Sequence, residues 1–210
     1  MNRRDFALGL GATALLAQSA RAATEPVEGK DYTKLGTPVP VAVAGKIEVI
    51  EFFGYWCPHC SQLEPVLEPW VKKLPSDVNF RRIPVAWQAQ HVPFQKLYFA
   101  LEAMGAGGEV HRKVFDAVHV QRLRIDNDGA IGGFAGVIGV DKARLLDEMK
   151  GFTVASKLNV ANKSFASFQI NGVPTLAVNG RFLTSPEMAG GEEQALRVAE
   201  ALIRKARTTR

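Results

Sequence analysis

Hydrophobic and polar positions along this chain alternate between two rhythms. Lys46-Ile47-Glu48-Val49-Ile50-Glu51-Phe52-Phe53 is dense in β-branched and aromatic residues and predicts a buried central strand. Directly after it, Cys60, Leu63, Glu64, Leu67, Trp70, Val71 and Leu74 share one broad helical face, which predicts a helix beginning at Cys57. Pro65 and Pro69 lie inside that helix. Each lacks an N–H and crowds the carbonyl four residues back, so a kink is expected. Val78 to Val85 alternates as the next strand does.

Helical spacing then takes over. Val92, Phe94, Leu97, Tyr98, Leu101 and Met104 predict one helix, stopped at Gly105-Ala106-Gly107-Gly108, and Val110, Val114, Phe115 and Val118 predict a second, short one. Asp128-Gly129 marks a turn before Ile131, Phe134 and Ile138. Asp141 is a suitable N-cap for a helix over 142–150, and a long helix follows over 153–168. Leu176-Ala177-Val178 and Arg181-Phe182-Leu183 make a hairpin across a two-residue Asn179-Gly180 turn. A closing helix over 192–206 carries Ala195, Leu196, Ala199, Leu202 and Ile203, and Tyr32 to Leu35 upstream fits an edge strand.

This order predicts an α/β fold, a mixed sheet with helices on both faces. The block over 88–150 contributes no strand and reads as a helical subdomain inserted into an α/β unit made of 24–87 and 151–210. No internal repeat is present.

The first residues follow neither rhythm. A basic start, Met1-Asn2-Arg3-Arg4-Asp5-Phe6, precedes a short apolar stretch from Ala7 to Ala17, and Ala20-Arg21-Ala22 supplies a small–x–small cleavage pattern. The stretch is too short to span a bilayer as a helix. Residues 1–23 therefore read as a cleaved export signal. The Arg-Arg-x-Phe arrangement resembles a twin-arginine signal, with Ala7 where that pattern prefers leucine, so the general secretory route also fits. Both routes lead to an oxidising compartment. Removing residues 1–22 removes three arginines and one aspartate and lowers the formal charge from +5 to +3. So mild and evenly spread a charge argues against a nucleic-acid partner.

Against this background the cysteines carry the chemistry. The chain has only two, Cys57 and Cys60, and its 47% apolar content suffices for a core without disulfide staples. A loop closed across three positions constrains the unfolded chain little, so the pair is chemical rather than architectural. The spacing allows a disulfide across the first helical turn and leaves the Cys57 sulfur at the helix N-terminus, where unpaired N–H groups and the dipole favour a thiolate. Zinc would need two further ligands, and His59, His91, His111 and His119 offer no paired spacing near the motif. A c-type haem site would need histidine after Cys60, where Ser61 stands. No metal and no cofactor are expected.

Strand–Cys-Pro-His-Cys–helix, the Phe-Phe-x-x-x-Cys context and a later Gly172-Val173-Pro174 before a hairpin resemble the thioredoxin fold. With the helical insertion and the export signal, the chain is similar to the DsbA family of periplasmic disulfide oxidoreductases over nearly all its mature length. That resemblance implies a thioredoxin-like fold and an enzyme that donates its Cys57–Cys60 disulfide to unfolded or partly folded exported proteins bearing thiols. It also implies reoxidation by a DsbB-like membrane protein that passes electrons to quinone. Cys57 would be the nucleophile and mixed-disulfide site, and Cys60 the more buried resolving sulfur. His59 would hydrogen-bond or lend charge to the Cys57 thiolate and so favour the reduced form. Pro58 fixes the turn at no cost in helical hydrogen bonds. Pro174 would follow a cis peptide, leaving the Val173 backbone to pair with an extended substrate.

Glu51 shares the strand face of Ile47, Val49 and Phe53, an inward carboxylate whose pKa burial should raise. It could then accept or relay the proton of Cys60. The resemblance implies a buried acid here, beside which one member of the family has a lysine on the neighbouring strand; this chain offers Arg81 or Arg82 there. Phe53, Tyr55 and Trp56 fit either an apolar docking surface or the core. Two other activities remain open: a disulfide isomerase or reductase, and a non-catalytic thioredoxin-like binding or chaperone module.

Overall fold

The computed structural model describes residues 25–209. The export signal expected over 1–23 lies outside them. Five strands form one mixed sheet in the order β1-β5-β4-β2-β3. They are β1 (Thr33–Lys34), β2 (Ile47–Phe53), β3 (Val78–Pro84), β4 (Thr175–Val178) and β5 (Phe182–Thr184). β2 pairs parallel with β3 and antiparallel with β4, so it runs through the middle with every residue buried. Strands buried on both faces read as continuous apolar runs, and β2 departs from that only at Glu48 and Glu51.

The strand's two faces feed two clusters. Ile47 and Val49 pack with Leu63 and Leu67 of α1 (Pro58–Val71) and with Leu202 of α8 (Glu192–Thr208). Phe52 points the other way and meets Phe168, the C-cap of α6 (Phe152–Ser167), with ring centroids 5.2 Å apart. Between β3 and α6 lie α2 (Val92–Ala103), α3 (Gly107–His119), α4 (Asp128–Ile138) and α5 (Lys142–Lys150). Their apolar faces do not close on themselves. Phe115 of α3, Leu97 and Tyr98 of α2, and Ile131 of α4 belong to the same buried cluster as Phe52 and Phe53. Sheet and helical block share one core.

Three local differences have physical causes. Asp128-Gly129 begins α4 rather than turning before it, because the Asn127 side chain caps the helix by accepting from Ala130 N at 3.0 Å. The hairpin keeps its Asn179-Gly180 turn, with φ of 52° and 62°, but pairs Val178 with Phe182 and leaves Arg181 extra. The carbonyls of Gly180 and Arg181 are turned outward to accept from Val39 and Leu35, which ties the N-terminal segment to the sheet. A short helix not foreseen in the sequence, α7 (Pro186–Ala189), is capped by Ser185. α1 runs without interruption through Pro65 and Pro69.

Candidate active site

The strand β2 ends at Phe53, and a turn over Gly54–Cys57 closes with the Cys57 N–H donating to the Gly54 carbonyl at 3.0 Å. Cys57 is the N-cap of α1, with extended φ and ψ of −91° and 118°. Its Sγ accepts from Cys60 N at 3.4 Å, as a capping oxygen would, so the sulfur sits among the unpaired N–H groups of the first turn. Pro58 at N1 has no N–H to lose. Both sulfurs are free thiols. Cys57 retains 4% exposure and Cys60 none, which makes Cys57 the sulfur an incoming group can reach.

Their acidities diverge. The Cys57 thiol is brought down to about 7, chiefly by the hydrogen bond from the Cys60 thiol, against burial, which pushes it up. The backbone N–H groups of Cys60 and His59 and the His59 charge lower it further. Burial, together with the neighbouring Cys57, pushes Cys60 well above its ordinary value. His59 is exposed, and its Nδ1 bonds to Gln62 Oε1 at 3.0 Å. The imidazole therefore acts on Cys57 by charge, while the hydrogen bond from His59 comes from its backbone.

The Val173–Pro174 peptide is cis and lies against the sulfur, with the Cys57 thiol donating to the Val173 carbonyl at 3.3 Å. Although 116 positions apart, the two segments meet because β4, which follows Pro174, pairs with β2, which precedes Cys57.

Glu51 is fully buried beneath the pair, and the β2–β3 register places Arg82, not Arg81, opposite it. Arg82 Nε donates to Glu51 Oε2 at 2.9 Å and its Nη2 to Glu64 Oε1 at 2.6 Å. Arg81 faces the other side and pairs with Glu48. Burial raises the Glu51 carboxyl to about 8; Arg82 opposes this and Glu64 adds to it. One guanidinium thus serves two buried carboxylates, and the proton held by Glu51 makes up the shortfall. His111 Nε2 lies 3.6 Å from Glu64 Oε2, and its Nδ1 lies 2.8 Å from the Tyr55 hydroxyl. The ligand atoms of Glu51, Glu64 and His111 lie within 4.8 Å of one another, a spacing a metal could use. Arg82 already supplies the cation between the carboxylates. A cleft of about 360 Å³, lined by Arg82, Tyr98, Glu102 and Lys157 among others, opens beside this cluster.

Phe53 and Tyr55 are core residues, with 0% and 1% exposure. Trp56 is half-buried, stacks on His91 and borders the exposed Trp87. Sequence reasoning missed Glu64, His91, His111 and His119 as neighbours of the motif. A signal existed for three of them. Glu64 falls on the apolar face of α1, and His111, Phe115 and His119 recur every four residues on one face of α3. A charged or polar group on an inward stripe needs a partner there.

Comparison with known proteins agrees with this geometry. Residues 77–202 match the model of the DSBA-like thioredoxin domain, and residues 39–95 that of thioredoxin. The thiol:disulfide interchange protein DsbA of Pseudomonas syringae pv. tomato is 42% identical over 208 residues, covering 99% of this chain and 97% of the relative. The protein of the same name from Bordetella pertussis is 39% identical over 202 residues, 96% of this chain and 94% of the relative. Among solved structures, Pseudomonas aeruginosa DsbA superposes with a TM-score of 0.83 at 38% identity, covering 86% of this chain and 94% of that one. The Xylella fastidiosa oxidoreductase DsbA gives 0.81 at 30% identity, with 87% and 98% covered.

Proposed function

The chain belongs to the DsbA-like thioredoxin family, and on that premise we propose that it donates the Cys57–Cys60 disulfide to thiol-bearing substrate proteins. The observation that carries this reading is the capping position of the Cys57 sulfur, 3.4 Å from the Cys60 N–H at the head of α1. A group so placed is a good leaving thiolate, which favours the reduced enzyme and so favours giving the disulfide away.

In the oxidised protein a substrate thiolate attacks Cys57 Sγ. The Cys57–Cys60 bond breaks, a mixed disulfide forms, and the electron pair leaves on Cys60. Cys60 then takes up a proton, and Glu51, holding one with its carboxyl raised to about 8, is the donor at hand. A second substrate thiolate attacks its partner sulfur in the mixed disulfide, releasing the substrate disulfide and the Cys57 thiolate. Val173 supplies backbone beside the sulfur for an extended substrate segment, with Pro174 fixing the turn. Reoxidation removes two electrons. We assign that step to a DsbB-like quinone-linked membrane oxidoreductase, and we place the protein in the periplasm, exported on the signal over 1–23.

The test is disulfide formation in a reduced, unfolded substrate given stoichiometric oxidised protein. Wild type should oxidise the substrate as it becomes reduced itself, and Cys57→Ser should fall to background. Net reduction of a disulfide substrate under glutathione-buffered conditions would instead support the reductase reading.

A further inference from the structure

Three histidines from the segment between β3 and α6 converge on the turn that delivers the nucleophile. His91 stacks on Trp56 with ring centroids 3.9 Å apart and planes 8° from parallel. His111 Nδ1 lies 2.8 Å from the Tyr55 hydroxyl, and His119 Nε2 lies 2.8 Å from the Tyr55 carbonyl. His59 belongs to the same stretch, so all four histidines of the chain lie within or against residues 54–62.

The His119 contact has only one chemical sense. A carbonyl accepts and cannot donate, so Nε2 must carry the proton. Tyr55 and Trp56 are the central residues of the turn closed between Gly54 and Cys57, and the Tyr55 carbonyl belongs to the peptide that joins them. How that peptide is rotated decides how the chain enters α1, and so where Cys57 Sγ lies relative to the Cys60 N–H. His111 and His119 are two helical turns apart on the same face of α3, with Phe115 between them packed on Tyr55 at 5.0 Å. One helix face therefore grips Tyr55 by its ring, its hydroxyl and its carbonyl.

We propose that His119 is a positioning residue for disulfide exchange: by donating to the Tyr55 carbonyl it fixes the turn that holds Cys57 at the N-cap of α1. The proposal rests on Cys57 being the exchanging sulfur. His119 bonds to the Tyr55 carbonyl rather than to either sulfur, and acts through Tyr55.

The test compares His119→Leu, which removes the donor, with His119→Gln, whose side-chain amide restores an N–H. Two quantities are read in each: the pH midpoint of thiolate ultraviolet absorbance in the reduced protein, and the equilibrium of the Cys57–Cys60 pair with glutathione. Loss of one hydrogen bond should raise the Cys57 midpoint in the leucine variant by about 0.5–1 unit, and make the pair about three- to tenfold less oxidising. The glutamine variant should stay within about twofold of wild type in that equilibrium. Wild-type values in the leucine variant, or equal shifts in both variants, overturn the proposal. The imidazole tautomer, read by nitrogen NMR on the wild-type protein, decides the matter even if the leucine variant does not fold: an Nε2–H supports the proposal and an Nδ1–H overturns it. Failure of the underlying reading looks different, since wild type itself would then show no low-pH thiolate transition that Cys57→Ser removes.

Discussion

Cys57 and Cys60 are one helical turn apart and have opposite acid–base character, and that opposition is measurable. Cys57 is held near 7, below the ordinary thiol value of 9, so its ionised form stabilises the reduced folded state. This contribution is fully present above about 9 and is lost as pH falls through about 7. The stability gap between reduced wild type and Cys57→Ser should therefore widen in wild type's favour from pH 6 to pH 9, measured by urea unfolding under reducing conditions. Glu51 has the opposite sign. Its folded value of about 8 exceeds the ordinary 4.5, so its stabilising share is complete below about 4.5 and is lost as pH rises through about 8. Glu51→Gln should remove that decline, leaving the variant more stable relative to wild type at pH 9 than at pH 5, by an amount on the order of a few kcal/mol. The same variant should slow the exchange step that protonates Cys60, read as a lower rate of substrate oxidation at neutral pH. The inward face of Glu51 could be read from the two-residue period of β2. That Arg82 rather than Arg81 faces it could not, because register depends on where β3 begins its pairing, and a shift of one residue along β3 exchanges the two. Glu64 and the histidines of α3 were within reach, since each interrupts an apolar stripe at helical spacing.

At the scale of elements, strands and helices with strong periodicity were legible to within a residue or two, as β2, α2, α5 and α6 show. What escaped was set by tertiary demand. Arg181 is an extra residue in the β4–β5 hairpin because the N-terminal segment takes the carbonyls of Gly180 and Arg181, a contact from 140 or more positions upstream. Gly180 sits at the crossing point with a φ of 62°, and a Cβ there would collide with the Val39 carbonyl. Glycine is required twice over, once for the left-handed backbone and once for the approach of the other segment. Gly180→Ala should cost at least about 1–2 kcal/mol from the backbone conformation alone, with more from the collision. Thermal unfolding measures the loss. Disulfide exchange by the folded variant should be unchanged, because the hairpin tip is distant in the fold from the Val173–Pro174 end of β4.

At the scale of the molecule, the question is whether the helical block over 88–150 is a unit of its own. The order of predicted elements suggested an insertion, and helices α2 to α5 do follow one another without a strand. The packing shows a dependence that element order cannot show. Phe53, the last residue of β2, has ring centroids 5.2 Å from Tyr98 on α2 and His111 on α3, and 6.0 Å from Phe115. Tyr55 is gripped from the same helix, and Gln95 of α2 donates to the Pro84 carbonyl at the end of β3. The block's core is thus completed by the sheet, and the sheet's active-site end is completed by the block. An apolar face shared in this way is lost by both sides at once. Phe115→Ala, at a fully buried position in that shared cluster, should cost about 3–5 kcal/mol. The informative reading is where the loss appears. In native-state hydrogen exchange, protection of β2 and α8 should fall together with that of α2 to α4, because unfolding the block strips Phe53 and Tyr55 of their cover. Loss of protection confined to 88–150 would instead make the block an independent cooperative unit and would weaken the case for its control of Cys57. Coupled loss has a functional consequence. A disulfide donor whose nucleophile is held by a separate layer of helices would lose its enhanced thiol acidity whenever that layer loosens. The Cys57 midpoint of Phe115→Ala should therefore move upward toward the free-thiol value, even under conditions where the variant remains folded.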